Sequence, residues 1–320
     1  MRPTRRQVWS AVLPVCCAAL CVIANCLGAF ERLELGSLDQ RLRCRNQIRL
    51  FLSHGASPSP EIAIIEIDDE SLRRIREPFI LWDPHFTKVV SALSGSSAKV
   101  IALDVVWLKS IEDYVALKAV DFRKPLVREF MAASRDNRLV LAALARARPD
   151  DRAGSLSTAA GPEISLGRYA ALIGYQHFGI VNPLLDQDKV VRRQTAFYET
   201  AGAGGGTLQT PSLTFLTVSR FRKMPAPPPE PQLIDYDAGR VSFPRYSFYE
   251  VLARSAAGDK EYFERNFGGR IVFVGTTSGL LDNHSTPIGR EIPGLYIQAF
   301  GAQPLYSAGL VYNGGARRLS

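Results

Sequence analysis

Beyond its first thirty residues this chain of 320 has a single cysteine, Cys44, while Cys16, Cys17, Cys21 and Cys26 share one apolar run. That distribution excludes a disulfide scaffold, and with no CxxC pair and no Cys/His spacing there is no zinc motif. Histidine is scarce too: His54, His85, His177 and His284 are isolated from one another, which suits solvated side chains better than ligands. GxSxG, HExxH and the kinase set are absent, and VGTTSG (274–279) has the outline of a phosphate loop without GxxxxGK[ST] or GxGxxG. The sequence therefore predicts no catalytic residue, no metal and no cofactor.

A dense basic stripe is missing as well. The formal charge is +8, but Arg2, Arg5 and Arg6 precede the first acid, Glu31, leaving 36 basic against 31 acidic side chains spread over the rest. Nucleic acid is not an expected partner. What is present is 46% apolar residues, enough for a large core. One stretch, residues 8–30 (VWSAVLPVCCAALCVIANCLGAF), carries no charge over 23 positions, against the roughly 20 that span a bilayer as a helix. The basic start places the N-terminus in the cytoplasm and residues 31–320 outside it, with lipid as a partner through 8–30. A cleaved secretory signal is the rival reading; Leu27 fits its cleavage site poorly, and export follows from either.

The division is then a basic tail (1–7), a transmembrane helix (8–30), a stalk helix and linker (31–60), one large domain (61–310) and a short tail (311–320). Leu33, Leu35, Leu38 and Leu42 give the stalk its helical spacing, and Ser57-Pro58-Ser59-Pro60 ends it. EIAIIEIDDESL (61–72), AKVIALDVVW (98–107), RLVLAALA (138–145) and IVFVG (271–275) read as buried strands, with helices after the first two. Strand, helix, strand at this spacing predicts βαβ pairing, hence a mixed α/β domain with a parallel-sheet core. KVVRRQTAFYE (189–199) reads as one strand, 233–243 as a hairpin turned at Asp237-Ala238-Gly239, and 276–287 as a loop. Residues 149–167 have the composition of a surface excursion.

Three of these strands end in Asp68/Asp69, in Asp104, and in a loop holding Thr276, Thr277, Asp282 and Thr286. Ligands of open parallel sheets bind at the carboxyl ends of strands, so these seven residues are the candidate ligand-binding set. Two readings remain open: a binding crevice, or a metal-assisted enzyme using the aspartates. For any one aspartate the plainer role is a turn or helix cap, with Asp69 or Ser71 as the cap of the first helix.

The order of segments resembles the CHASE type 2 sensory domain of bacterial adenylate cyclases, histidine kinases and serine/threonine kinases. The resemblance rests on IAIIEIDDESL (62–72), Trp82 and Pro84, AKVIALDVVW, LLDQDKVVRR (184–193) against a D-x-D-G-V-x-R pattern, RYSFYEVL (245–252), and FGGRIVFVGTTSGLLDNHSTP with PGLYIQA (267–299). It implies an extracytoplasmic, non-enzymatic domain of the bacterial cytoplasmic membrane that senses a small-molecule or cell-envelope ligand, dimerises through its stalk and signals through an output domain. Lys189 departs from the pattern's glycine, and Gln298 stands where the last helix often has His. No second span and no cyclase or kinase motif follows, so a truncated receptor or a separate output protein is expected.

Overall fold

The computed structural model describes residues 22, 29–52, 57–107, 123–145, 162–163, 167–201, 207–222, 230–236, 241–279 and 282–311. Its first half runs α1 (Ala29–Leu52), β1 (Ile62–Ile67), α2 (Asp69–Arg74), α3 (Asp83–Gly95), β2 (Val100–Asp104), α4 (Arg123–Arg135), β3 (Leu139–Ala145), β4 (Phe178–Ile180) and β5 (Val191–Gln194). The second half adds α5 (Leu213–Phe221), β6 (Arg245–Ser247), α6 (Phe248–Ala256), α7 (Lys260–Phe267), β7 (Ile271–Thr276), β8 (Asn283–Thr286), β9 (Gly289–Pro293) and α8 (Gly294–Val311).

Apolar runs such as IAIIEI and IVFVG bury both their faces, which suits the interior of a parallel sheet covered on two sides. The sheet order is β6-β1-β7-β2-β3-β4 with every one of these pairs parallel. Pro162–Glu163 adds a short antiparallel pairing at the end of β3. Ala63, Ile65 and Ile67 of β1 point into a core shared with α3, α4, α6 and α7, where Trp82 stacks on Phe248 at 5.6 Å. Ile62 and Ile64 point the other way, against Leu213 and Val218 of α5 and Leu295, Ile297 and Phe300 of α8. The period of two along each strand thus divides one sheet between two helical layers.

The mixed α/β, parallel-sheet reading holds, with four local corrections. β1 and β2 are parallel but do not touch, because β7 pairs with both. Residues 189–199 form two strands rather than one. The chain turns where the Thr195 hydroxyl donates to the Phe197 carbonyl, and Phe197–Ala201 then pairs with Thr207–Pro211. The expected hairpin at 233–243 does not form between its own arms: Gln232–Leu233 pairs antiparallel with β5, and Val241–Ser242 pairs parallel with Ser57–Pro58. Part of the expected loop 276–287 is β8, which pairs antiparallel with β9 and so gives its polar residues a ladder.

No helix among the described residues is long and apolar enough to cross a membrane. Of the stretch 8–30 only residues 22, 29 and 30 are described, and most of 149–167, the Gly202–Gly206 turn and the Asp237–Gly239 turn also lie outside the described residues.

Candidate functional site

The carboxyl ends of β1, β7 and β2 lie side by side, and the register sets Glu66, Gly275 and Asp104 in one row across them. The alternation that buries Ile62, Ile64, Val100, Ala102, Ile271 and Phe273 under α8 turns the row's two carboxylates toward the same helix. Gly275 lies between them, and a Cβ there would meet the Asp104 carbonyl oxygen and Leu295 Cδ1, each at 2.9 Å. Its lack of a side chain lets α8 close on the sheet. Glu66 accepts a hydrogen bond from the Tyr296 hydroxyl, which in turn accepts one from Arg245 at 3.1 Å. Burial, with the Glu66 bond acting in the same sense, raises the Tyr296 hydroxyl to about 12.

On the other side of Gly275, Asp104 is half-buried beside Asp282 and His284. His284 Nε2 lies 2.7 Å from Asp282 Oδ1, and the Asp282 carbonyl accepts from the Gly294 N–H, 2.9 Å, at the start of α8. Burial pushes the Asp104 carboxyl up to about 7; the Asp282 charge adds to the rise and His284 opposes it. A carboxyl tuned to change charge near neutrality, beside a carboxylate and an imidazole, can exchange a proton or meet a cationic group.

The other candidate residues are placed differently. Asp68, rather than Asp69 or Ser71, caps α2: its Oδ1 accepts from the Ser71 N–H at 2.8 Å and from the Ser71 and Ser247 hydroxyls. Asp69 is exposed in the first turn. The Thr277 N–H donates to the Ile67 carbonyl, and Thr286 is buried with its hydroxyl on the Gly289 carbonyl inside the β8–β9 turn. Thr276 Oγ1, Ser278 Oγ and Asn283 Oδ1, along the connection from β7 to β8, are buried without a hydrogen-bond partner among the described residues. So Asp104 and Asp282 come together with His284, while Asp68 and Thr286 are engaged in hydrogen bonds of their own and Asp69 is exposed. Among the described residues no cluster of three or more His, Cys, Asp or Glu is arranged to hold a metal ion.

A second polar centre involves none of the seven candidate residues. The Arg192 side chain is 1% exposed and meets three carboxylates. Nε and Nη2 donate to the two oxygens of Asp39 at 2.8 Å each, Nη1 to Asp186 at 3.0 Å, and Nη1 and Nη2 to Asp188 at 2.8 and 2.7 Å. Arg193 adds a bond to Asp186 at 2.7 Å. Asp39 belongs to α1, so a buried guanidinium binds the stalk helix to the domain. Arg45 reinforces that seat by pairing with Asp235, Asn46 by donating to the Tyr236 carbonyl and Arg43 by donating to the Pro287 carbonyl. The only forerunner in the sequence was the LLDQDKVVRR run; nothing local pointed to Asp39.

The family model described as CHASE2 domain matches residues 16–311, nearly the whole chain. The chain belongs to the CHASE2 family. CHASE2 is an extracytoplasmic sensory domain family. No curated protein and no solved structure matches the chain. In this CHASE2 domain the D-x-D-G-V-x-R stretch has a physical reading: Asp186, Asp188 and Arg192 form the buried ion cluster, and position 189 turns the chain between them. Lys189 has φ +63°, its N–H donates to the Asp186 carbonyl at 2.8 Å, and the register shifts between Leu184 and Leu185. That left-handed conformation is the one glycine adopts without penalty.

Lys189→Gly should therefore raise stability by about 0.5–1 kcal/mol, read as a higher urea midpoint with unchanged slope; a lower midpoint would contradict the strain. Asp104 generates a second expectation. An unfolded aspartate titrates at about 3.9, so the contribution of Asp104 to stability is fully present below that pH and is lost as pH rises through about 7. Asp104→Asn, which keeps the shape of the protonated acid, should gain stability relative to the parent between pH 5 and 8, with the difference shrinking toward pH 4. Parallel urea titrations check it, and a difference independent of pH would refute it.

Proposed function

We propose that this CHASE2 domain is the ligand-sensing part of a membrane-anchored bacterial receptor, that residues 8–30 anchor it in the cytoplasmic membrane, and that α1 carries its signal toward that anchor. The Arg192 cluster is the observation that carries this reading. A helix leading from the apolar stretch is seated on the domain through buried charges, where small displacements are energetically expensive. The isolated bridge between Val190 and Ser285 sets this cluster beside β8, the strand of His284, so the Asp104 group and the stalk are neighbours through the backbone.

The ligand-contacting set in this proposal is Asp104, Asp282, Thr276 and Thr277, with a small-molecule or cell-envelope ligand and no chemical turnover. Unpartnered buried oxygens along the β7–β8 connection favour an occupant that supplies hydrogen bonds. On α1, Leu33, Ile48, Phe51 and Leu52 are exposed in the single chain, and homodimerisation would act there. Output passes to a domain or partner protein on the cytoplasmic side.

Placement can be read from Cys44, which is free and exposed on α1. A maleimide that does not cross membranes should label the full chain in spheroplasts, and Cys44→Ser should abolish the labelling; labelling that appears only after lysis would overturn the topology. For sensing, a thermal-shift screen of cell-wall fragments, small metabolites and cations on the full chain should find a class that raises Tm, with the rise lost in Asp282→Asn. No rise with any class would count against the ligand-sensing role.

A further inference from the structure

The helical layer on the face of the sheet opposite α8 contains a cavity. Helices α3 and α6 are tied by the Ser255 hydroxyl, which donates to the Lys88 carbonyl at 2.9 Å. The turn after α3 is tied to α7 by the Ser97 N–H, which donates to Glu264 Oε2 at 2.9 Å. At these ties lies a cavity of about 390 Å³ open to the surface. That volume is in the range of pockets that hold small organic molecules, roughly 300–1,000 Å³.

Its lining is amphipathic. Phe263, 3% exposed, and Ala92 present apolar surface, the Ser91 and Ser255 side chains bring hydroxyl groups, and Lys88 and Lys260 bring two ammonium groups. One acid, Asp259, lines the cavity, and it is already committed: Oδ1 accepts from the Tyr262 N–H at 3.0 Å as the cap of α7, and Oδ2 pairs with Arg254 at 3.1 Å. Neither lysine has a carboxylate partner among the described residues. Two like charges beside one concavity, with the neighbouring acid neutralised by another cation, leave a positive field over an apolar floor.

We propose that this cavity binds a small organic anion, its acidic group held between Lys88 and Lys260 and its apolar body laid on Phe263 and Ala92. Charge complementarity selects the acid, and the apolar wall selects an anion with a hydrocarbon part over an inorganic one. The site is separate from the Asp104 group, which lies on the α8 face of the sheet.

Phenyl phosphate and benzoate are the probes, titrated calorimetrically into the full chain in a nonionic detergent at low salt, with phenethylammonium and inorganic phosphate as controls. Saturable binding of at least one aromatic anion is expected, with inorganic phosphate weaker and the cation inert. The double variant Lys88→Glu/Lys260→Glu should weaken the anion at least tenfold. Gly95→Leu should block it sterically, because Gly95 lines the cavity and a Cβ there meets no atom within 4 Å, so the new side chain enters open space. Thermal melts of both variants check that the fold is retained. Absence of saturable binding by both anions, equal binding of phenethylammonium, or anion binding unchanged in the folded double variant would overturn the proposal.

Discussion

Strand β7 holds the two sides of the sheet together. It is hydrogen-bonded to β1 along one edge and to β2 along the other, and those two strands have no ladder of their own. Everything at the strand ends follows from this insertion. It brings Gly275 between Glu66 and Asp104, it admits α8 to the gap that glycine leaves, and it starts the connection that returns Asp282 and His284 over the end of β2. The strand comes from the last fifth of the chain, so the Asp104 group forms only when distant segments have already met.

The two polar centres do different physical work. Around Asp104 a carboxyl is under-compensated: burial and a neighbouring carboxylate raise its proton affinity. Around Arg192 the reverse holds, since one cation is matched by three carboxylates and every donor of the fork is used. Such a place resists change and fixes geometry, and here it fixes the helix that leads away from the domain. One backbone bridge, between Val190 and Ser285, joins the strand of His284 to the segment that carries Arg192.

Local patterns were sufficient for much of the fold. The runs 62–67, 100–104, 139–145 and 271–276 are apolar enough to be strands in any context, and the stalk appears as a helix over Ala29–Leu52 close to where leucine spacing put it. Pairing was harder to read. Gln232–Leu233 and Val241–Ser242 look like the arms of one hairpin because the turn chemistry between them is right, yet each has a better partner elsewhere. Asp104 and Asp282 are legible in the sequence as acids at strand ends, whereas His284 has the look of a solvated side chain because its partner, two residues away, is brought within reach only by the bend into β8.

Composition and order along the chain determined the class: a mixed α/β domain with a parallel core, a helix before it, and a motif set specific enough to identify the CHASE2 family. Tertiary structure alone decided which aspartate does what. Asp68 became a cap, Asp104 a half-buried acid and Asp39 the counter-ion of an arginine 153 residues away. The reason is physical. A carboxylate's role depends on the dielectric and the charges within a few ångströms of it, and those neighbours come from strand order and helix docking, which residue type and local spacing do not encode.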